Sequence, residues 1–89
     1  MKIKVELFGA SRDFSDKDSL EFDVDNNSTI KDIRIKIINY LDKNFNGNKN
    51  FKKIVNSSAF CSEKNNIISD NYKITNNEKI AIIPPIGGG

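Results

Sequence analysis

The sequence predicts a single two-layer α+β domain, in which one main helix packs across one face of a sheet. Two stretches near the N-terminus alternate apolar and polar residues, which is the period of a half-buried strand. A third stretch repeats apolar residues at spacings of three and four, which is the period of an amphipathic helix. The length of 89 residues suits one domain with a modest core.

The first two predicted strands form a hairpin. Their alternating apolar residues are Ile3, Val5 and Leu7 in the first strand and Leu20, Phe22 and Val24 in the second. The segment between them, residues 9–18, is polar and contains a glycine, so we expect a loop there. Because the two strands are close in sequence, we expect them to pair antiparallel.

The main helix is predicted to begin after Thr29. Thr29 can cap the first turn, and Asp32 places a carboxylate near the positive end of the helix dipole. The apolar stripe that follows consists of Ile30, Ile33, Ile37 and Leu41, with Ile38 and Tyr40 beside it. This stripe predicts three to four turns of amphipathic helix, held in place mainly by packing against the sheet.

The region after the helix is rich in asparagine, lysine and glycine. We interpret residues 43–50 as a loop, and residues 51–55 as either a short helical turn or an irregular link. Lysines near phenylalanines can bind RNA or single strands. The many asparagines and the balanced overall charge favour a solvated loop instead, with Phe51 covering the edge of the core.

Three more strands are predicted in the last third of the chain. Residues 58–62 form a short strand, and residues 67–68 form a brief strand at the edge of the sheet. A tight turn is expected at residues 75–78, because asparagine tolerates positive φ. The last strand, residues 79–83, is apolar at four successive positions, which predicts a central strand covered on both faces.

Composition excludes several classes of function. Fourteen basic and twelve acidic residues give a formal charge of +2, which is too balanced to indicate nucleic-acid or membrane binding. The chain has no histidine and one cysteine, Cys61. An intrachain disulfide, a cysteine zinc site and a histidine-dependent hydrolase are therefore excluded, and we expect no metal site. We interpret Cys61 as a small core residue rather than a reactive thiol.

The sequence also bears on cellular location. No stretch approaches the roughly 18 apolar residues of a membrane span. The first residues alternate and lack the apolar segment of a secretion signal. We therefore expect a cytoplasmic protein.

The most informative segment is the end of the chain, which reads Pro84, Pro85, Ile86, Gly87, Gly88, Gly89. Two prolines cannot extend a central ladder, and they hold the chain in a stiff exit. The glycines that follow lack side chains. We therefore expect residues 1–83 to form the domain, and residues 84–89 to form a flexible tail that can enter a narrow channel. The plainer alternative is a frayed glycine-rich end.

The reactive group of this tail is the α-carboxylate of Gly89. It is ionised at neutral pH, with an ordinary pKa of about 3.5, and is therefore a poor electrophile. Conversion to an acyl-adenylate would allow a thiol, a persulfide or an amine to attack the carbonyl carbon. ATP and magnesium must be used by a separate activating enzyme, because this chain has no phosphate-binding loop.

Residues 79–89 resemble the end of MoaD-type small subunits of molybdopterin synthase, in the MoaD/ThiS sulfur-carrier family. That family typically closes with an apolar strand, two prolines, two variable residues and Gly-Gly. Residues 5–12 are similar to its first strand and loop, and residues 29–33 to its helix start. The turn at residues 76–78 reads Asn-Asn-Glu, where the family usually has Asp-Gly-Asp.

The resemblance implies a β-grasp, ubiquitin-like fold with a mixed sheet, in which the first and last strands are parallel neighbours. It implies a non-catalytic sulfur carrier that bears a thiocarboxylate on Gly89. The implied partners are a MoeB-type, ubiquitin-activating-like adenylyltransferase, a cysteine desulfurase or rhodanese as sulfur donor, and the MoaE-type large subunit of molybdopterin synthase. The implied tail roles are access for Gly87 and Gly88 and exit direction for Pro84 and Pro85.

Related proteins leave alternatives open. Thiamine-type sulfur carriers are shorter and usually lack the double proline. Urm-type and small archaeal modifiers become attached to lysines and also donate sulfur for tRNA thiolation. A ubiquitin-like domain with an inert tail is the third alternative. Phe8, Phe60 and Ile86 are candidates for a docking face, although burial in the core explains Phe8 and Phe60 equally well.

Overall fold

The computed structural model of the chain describes residues 1–85. Its elements, in order, are β1 (Lys2–Leu7), a 3-10 helix (Gly9–Phe14), β2 (Ser19–Asp23), β3 (Ser28–Thr29), α1 (Ile30–Phe45), α2 (Lys49–Ser57), β4 (Ala59–Cys61), β5 (Ile67–Ile68), β6 (Lys73–Ile74) and β7 (Glu78–Ile83). Within this range, no helix has both the length and the apolar character that crossing a membrane requires.

Five strands form one mixed sheet in the order β2-β1-β7-β4-β5. β1 pairs antiparallel with β2, as the hairpin prediction requires, and parallel with β7. β4 pairs antiparallel with both β7 and β5. The last strand therefore lies at the centre of the sheet beside the first, which confirms the topology that the resemblance implies. β3 and β6 form a separate antiparallel pair that the sequence analysis did not predict.

Helix α1 packs on one face of this sheet. Its buried residues are Ile30, Ile33, Ile37 and Leu41, which are the predicted stripe. They meet the inward-facing apolar residues of the strands, including Ile3, Val5, Ile80 and Ile82, in one core. The two-layer α+β prediction is therefore confirmed.

The first turn of α1 is closed by Thr29 and Asp32, as predicted. The backbone N–H of Thr29 donates to Oδ2 of Asp32 at 2.9 Å, and the backbone N–H of Asp32 donates to Oγ1 of Thr29 at 3.3 Å. Hydrogen bonds from Thr29 to the Asp32 carboxylate lower the pKa of Asp32. The helix runs for 16 residues and ends at Asn46, whose φ of 55° is left-handed. It is therefore longer than predicted.

The predicted loop is shortened from both ends, because α1 continues through residues 43–45 and a second helix, α2, begins at Lys49. The side chain of Asn48 accepts hydrogen bonds from the N–H groups of the first turn. The Phe51 ring lies 5.1 Å from the rings of both Phe14 and Phe45, and Val55 is fully buried. These contacts hold α2 against the core. The loop prediction for residues 43–50 therefore holds only for residues 46–48 and is wrong at both ends, and the helical alternative for residues 51–55 is confirmed.

Two turn predictions also need correction. The loop after β1 contains a 3-10 helix, which places Phe14 in the core with no exposed surface. In the turn before β7, Asn77 does not use positive φ; its side-chain oxygen instead accepts a hydrogen bond from the backbone N–H of Lys2 at 2.8 Å. The asparagines with positive φ are Asn27, Asn46 and Asn65.

Strand β7 is central but is covered on one face only. Ile80 and Ile82 are buried beneath the helical layer. On the opposite face, Ala81 is half-buried and Ile83 is 37% exposed. The prediction that both faces are covered is therefore wrong, because the helices of the described chain pack on one side of the sheet.

Candidate functional site at the tail exit

The C-terminal end of β7 is Ile83, and Pro84 and Pro85 follow it. Parallel pairing of Leu7 with Ile82 brings this end beside the start of the 3-10 helix. Pro84 is buried and Pro85 is exposed. Gly9 has a φ of 55° and lies close to Pro84. A Cβ atom added to Gly9 would be 3.9 Å from the proline ring. We call Pro84, Pro85 and Gly9 the tail exit. Its first proline is fixed by packing.

The structure describes two of the six predicted site residues. Pro84 and Pro85 follow the last residue of β7, and their predicted role in setting the direction of the tail stays a prediction. The others, Ile86, Gly87, Gly88 and Gly89, fall outside residues 1–85. Their predicted roles in docking, access and sulfur chemistry stay predictions.

A groove of about 410 Å³ lies beside the two prolines on the helical side. Its opposite wall is helix α2, and its lining residues are Ala10, Asn50, Lys53, Ile54, Ser57, Pro84 and Pro85. Lys53 is the charged side chain of this lining. This wall was not predicted, because residues 49 and 50 at the start of α2 were interpreted as part of a loop. The available signal was the apolar spacing of Phe51, Ile54 and Val55.

On its other side, the tail exit meets the uncovered face of the sheet. Phe8 is 44% exposed, and Ile83 lies in the adjacent register position on β7. Ala59 on β4 pairs with Ile83 on β7, and Ala81 lies two residues before Ile83 on the same face of the sheet. We call Phe8, Ala59, Ala81 and Ile83 the apolar patch. It lies directly beside the tail exit.

Two predictions about this face are tested by burial. Phe8 is exposed, as a docking residue must be, whereas Phe60 has no exposed surface. The docking prediction for Phe60 is therefore wrong, since its ring faces the core, where the guanidinium of Arg34 lies 4.7 Å from the ring centroid. The core prediction for Cys61 is also wrong. Its thiol is free and half-buried on the uncovered face, because the preceding Phe60 is the inward-facing residue of β4.

The part of the uncovered face formed by β1 and β2 is charged rather than apolar. Across β1 and β2, lysines face acidic residues in the pairs Lys2–Asp23 and Lys4–Glu21. Nζ of Lys79 lies 3.6 Å from Oε1 of Glu6. Solvent-exposed pairs of this kind contribute little to stability. They nevertheless separate the face into a charge-compensated region and the apolar patch at the tail exit.

Among residues 1–85, no group of three or more His, Cys, Asp or Glu side chains is arranged to hold a metal ion. The described site therefore consists of a fixed exit, a groove bordered by α2 and an apolar patch.

The fold itself is the β-grasp, ubiquitin-like fold. The parallel pairing of β1 and β7, the central position of β7 and the crossing of the sheet by α1 define it. No protein-family model matches the chain, and no curated protein matches its sequence. The assignment therefore rests on structure.

Similar solved structures agree with this fold. SAMP1 from Haloferax volcanii superposes with a TM-score of 0.71 at 15% identity, covering 100% of both chains. A Pyrococcus furiosus protein provisionally assigned as molybdopterin converting factor subunit 1 gives 0.69 at 16% identity, covering 96% of this chain and 98% of that one. Ubiquitin from Caldiarchaeum subterraneum gives 0.62 at 20% identity, covering 100% and 98%. The resemblance to MoaD-type and ubiquitin-like proteins is thus confirmed at the level of fold.

Proposed function

We propose that this chain is a sulfur carrier and the small subunit of a molybdopterin synthase, holding sulfur as a thiocarboxylate on Gly89. The observation that carries the proposal is the tail exit, where the central strand of a rigid sheet ends at a buried proline. Four further residues, Ile86 to Gly89, can span at most about 14 Å. A short segment that starts from a fixed point can be aimed into a partner.

The proposed chemistry begins at the Gly89 carboxylate. An oxygen of this group attacks the α-phosphate of ATP and displaces pyrophosphate, giving an acyl-adenylate. A persulfide sulfur then attacks the carbonyl carbon and displaces AMP. A second thiol attacks the donor's sulfur in the resulting acyl disulfide, forms a disulfide with the donor and releases the thiocarboxylate on Gly89. In this scheme the chain is a donor rather than the catalyst.

The proposed partners follow from these steps. A MoeB-type adenylyltransferase would use ATP and magnesium, and a cysteine desulfurase or rhodanese would supply the persulfide. A MoaE-type large subunit would receive the tail and transfer the sulfur to the molybdopterin precursor. The similarity to the Pyrococcus furiosus protein supports this branch. Phe8 and Ile83 of the apolar patch are exposed beside the tail exit and are available for such docking.

A second candidate function is a protein modifier that becomes attached to lysine side chains. The similarity to SAMP1 and to an archaeal ubiquitin supports it. The two functions share the acyl-adenylate and differ in the nucleophile, which is an amine in the modifier and a sulfur in the carrier.

Intact-protein mass spectrometry of the chain from its native host tests both functions. The carrier predicts a species whose mass increases by the difference between one sulfur and one oxygen, located at Gly89. The modifier predicts isopeptide conjugates of higher mass. Deletion of Gly88 and Gly89 should remove either product and, for the carrier, the activity of molybdoenzymes. The same spectra establish whether Gly89 is the last residue of the mature protein. Finding only the plain carboxylate, with normal molybdoenzyme activity after the deletion, would contradict both proposals.

A further inference from the structure

Helix α2 concentrates positive charge beside the tail exit. Lys49, Lys52 and Lys53 are all exposed, and α2 contains no acidic residue. The ion pairs among residues 1–85 are Arg34–Asp70 and Lys79–Glu6, so none of these three lysines takes part in one. Their combined charge exceeds the +2 of the whole chain. The positive charge of the protein is therefore unevenly distributed.

These lysines lie close to the tail exit. Lys53 lines the groove that Pro84 and Pro85 border. Lys49 lies one helical turn earlier on the same side, because residues four apart share a helix face. Lys52 is adjacent to both. We call Lys49, Lys52 and Lys53 the basic face of α2.

The packing of α2 favours a protein partner over a nucleic acid. Sequence-tolerant binding of single strands generally combines basic residues with exposed aromatic rings on which bases stack. Here the Phe51 ring is used within the domain, where it contacts the rings of Phe14 and Phe45. The basic face thus offers charge without a stacking platform.

We propose that the basic face of α2 binds an acidic surface beside the tail-binding channel of the adenylating enzyme. This inference rests on the proposed function, because it assumes that such an enzyme acts on Gly89. An enzyme whose active site takes Gly89 must approach to within about 14 Å of Pro85, which brings it near the groove that Pro85 and Lys53 both line. Complementary charge at that position would speed the encounter more than it would tighten the complex.

The test measures ATP–pyrophosphate exchange by the ubiquitin-activating-like adenylyltransferase of the same host, with this chain as the varied substrate. The basic-face variant is K49E/K52E/K53E. At low salt we expect its KM to rise by about tenfold or more with kcat unchanged, since electrostatic steering acts on association. At about 1 M salt, where the Debye length is about 3 Å, the difference should largely disappear.

The matched control is K31E/K64E/K73E, which makes the same change in net charge at the opposite end of the domain. Lys31 lies in the first turn of α1, and Lys73 pairs with Thr29 across β6 and β3. Lys64 lies in the turn between β4 and β5, near Asn77 and the start of β7. We expect this control to leave KM unchanged. Circular dichroism and thermal unfolding check that both variants fold, and the single variant K53E replaces the triple variant if it does not.

The outcomes separate the two proposals. If the unmodified chain supports exchange and the basic-face variant has the same KM as the control, the inference is overturned and the proposed function stands. If the unmodified chain supports no exchange, the proposed activation of Gly89 fails, and the inference fails with it. If the basic-face variant loses binding to host tRNA in a gel-shift assay while its exchange kinetics stay normal, a nucleic-acid role replaces the inference.

Discussion

The two faces of the five-stranded sheet are formed by the same strands but differ in how far their side chains are buried. Ile82 and Ile83 are neighbours of one residue type on β7, yet Ile82 has no exposed surface and Ile83 is 37% exposed. The first lies under the helices and the second lies in the apolar patch. The comparison shows that position relative to the helical layer, rather than hydrophobicity, decides whether a side chain stabilises the fold or is available to a partner. Substitutions on the two faces should therefore separate stability from recognition.

The largest loss of stability is expected at Ile82. Replacement of a fully buried isoleucine by alanine removes apolar contacts and leaves a cavity, so I82A should lower the free energy of unfolding by about 2–5 kcal/mol. The matched variant I83A should lower it by less than about 1 kcal/mol, since surface substitutions have small effects. Urea denaturation measures both values. Equal losses would show that the two faces are not energetically distinct.

A smaller loss of stability is expected at Arg34, whose side chain links α1 to α2. Its Nε donates to Oδ1 of Asp70 at 3.0 Å, its Nη1 donates to the carbonyl oxygen of Val55 at 2.6 Å, and its guanidinium lies over Phe60. We expect R34A to cost about 1.5–3 kcal/mol in urea denaturation, because hydrogen bonds of a charged group are lost.

Two further variants sharpen this expectation for Arg34. R34K should restore little stability, because an ammonium group cannot reproduce the planar fork of the guanidinium. D70N should cost less than R34A, because the Asp70 side chain is 49% exposed. A D70N loss as large as that of R34A would mean that the ion pair, rather than the bond to Val55, carries the effect.

The cap of α1 should contribute about 1 kcal/mol, measured as the stability lost in T29A. Its pH dependence has a definite sign. Because hydrogen bonds from Thr29 lower the pKa of Asp32 in the folded state, the stabilisation by the ionised Asp32 carboxylate is present above the ordinary carboxyl pKa of about 4 and is lost as the pH falls through the lower folded value. The difference in stability between D32N and the unmodified protein should therefore shrink in acid. D32N is the variant for this test, since the backbone N–H bond that mainly lowers the pKa is retained in T29A. A difference that stays constant down to pH 2 or so would contradict a role for the ionised carboxylate.

The smallest stability effect and the clearest functional effect are expected in the apolar patch. F8S/I83S should change the free energy of unfolding by less than about 1 kcal/mol, since both residues are partly exposed. It should raise the KM for adenylation, because Phe8 and Ile83 lie beside the tail exit. I67S is the control, since Ile67 is 77% exposed on β5 and pairs with Cys61, away from the exit. An unchanged KM in F8S/I83S would remove the patch from the docking surface.

Local periodicity explains what the sequence analysis predicted correctly. The stripe of α1 and the alternation of β1 and β2 are visible in windows of ten residues or so, because one face of each element is buried. The Thr29–Asp32 cap is equally local. The parallel pairing of β1 with β7 joins the two ends of the chain, and it was expected only from the resemblance to a known family.

The errors arose where distant residues decide the structure. Helix α2 depends on Phe14 and Phe45 as partners for Phe51, and its asparagines are weak helix formers. The exposure of Ile83 and Cys61 depends on which face of the sheet lacks helices, and an apolar run in a strand does not show this. Within the candidate site, the wall formed by α2 was not predicted, and the roles of the prolines and glycines stay predictions.

The parallel pairing of β1 with β7 also has a mechanical consequence. Met1 and Pro85 lie at opposite ends of this strand pair, since both strands run in the same direction. The ammonium group of Met1 is held by the carbonyl oxygen of Val24 at 2.9 Å. A force that pulls the two ends apart loads the hydrogen bonds between β1 and β7 in shear, so they must yield together rather than one by one. A force applied at the C-terminal end should therefore meet its main resistance when the hydrogen bonds between β1 and β7 break, before either helix unwinds.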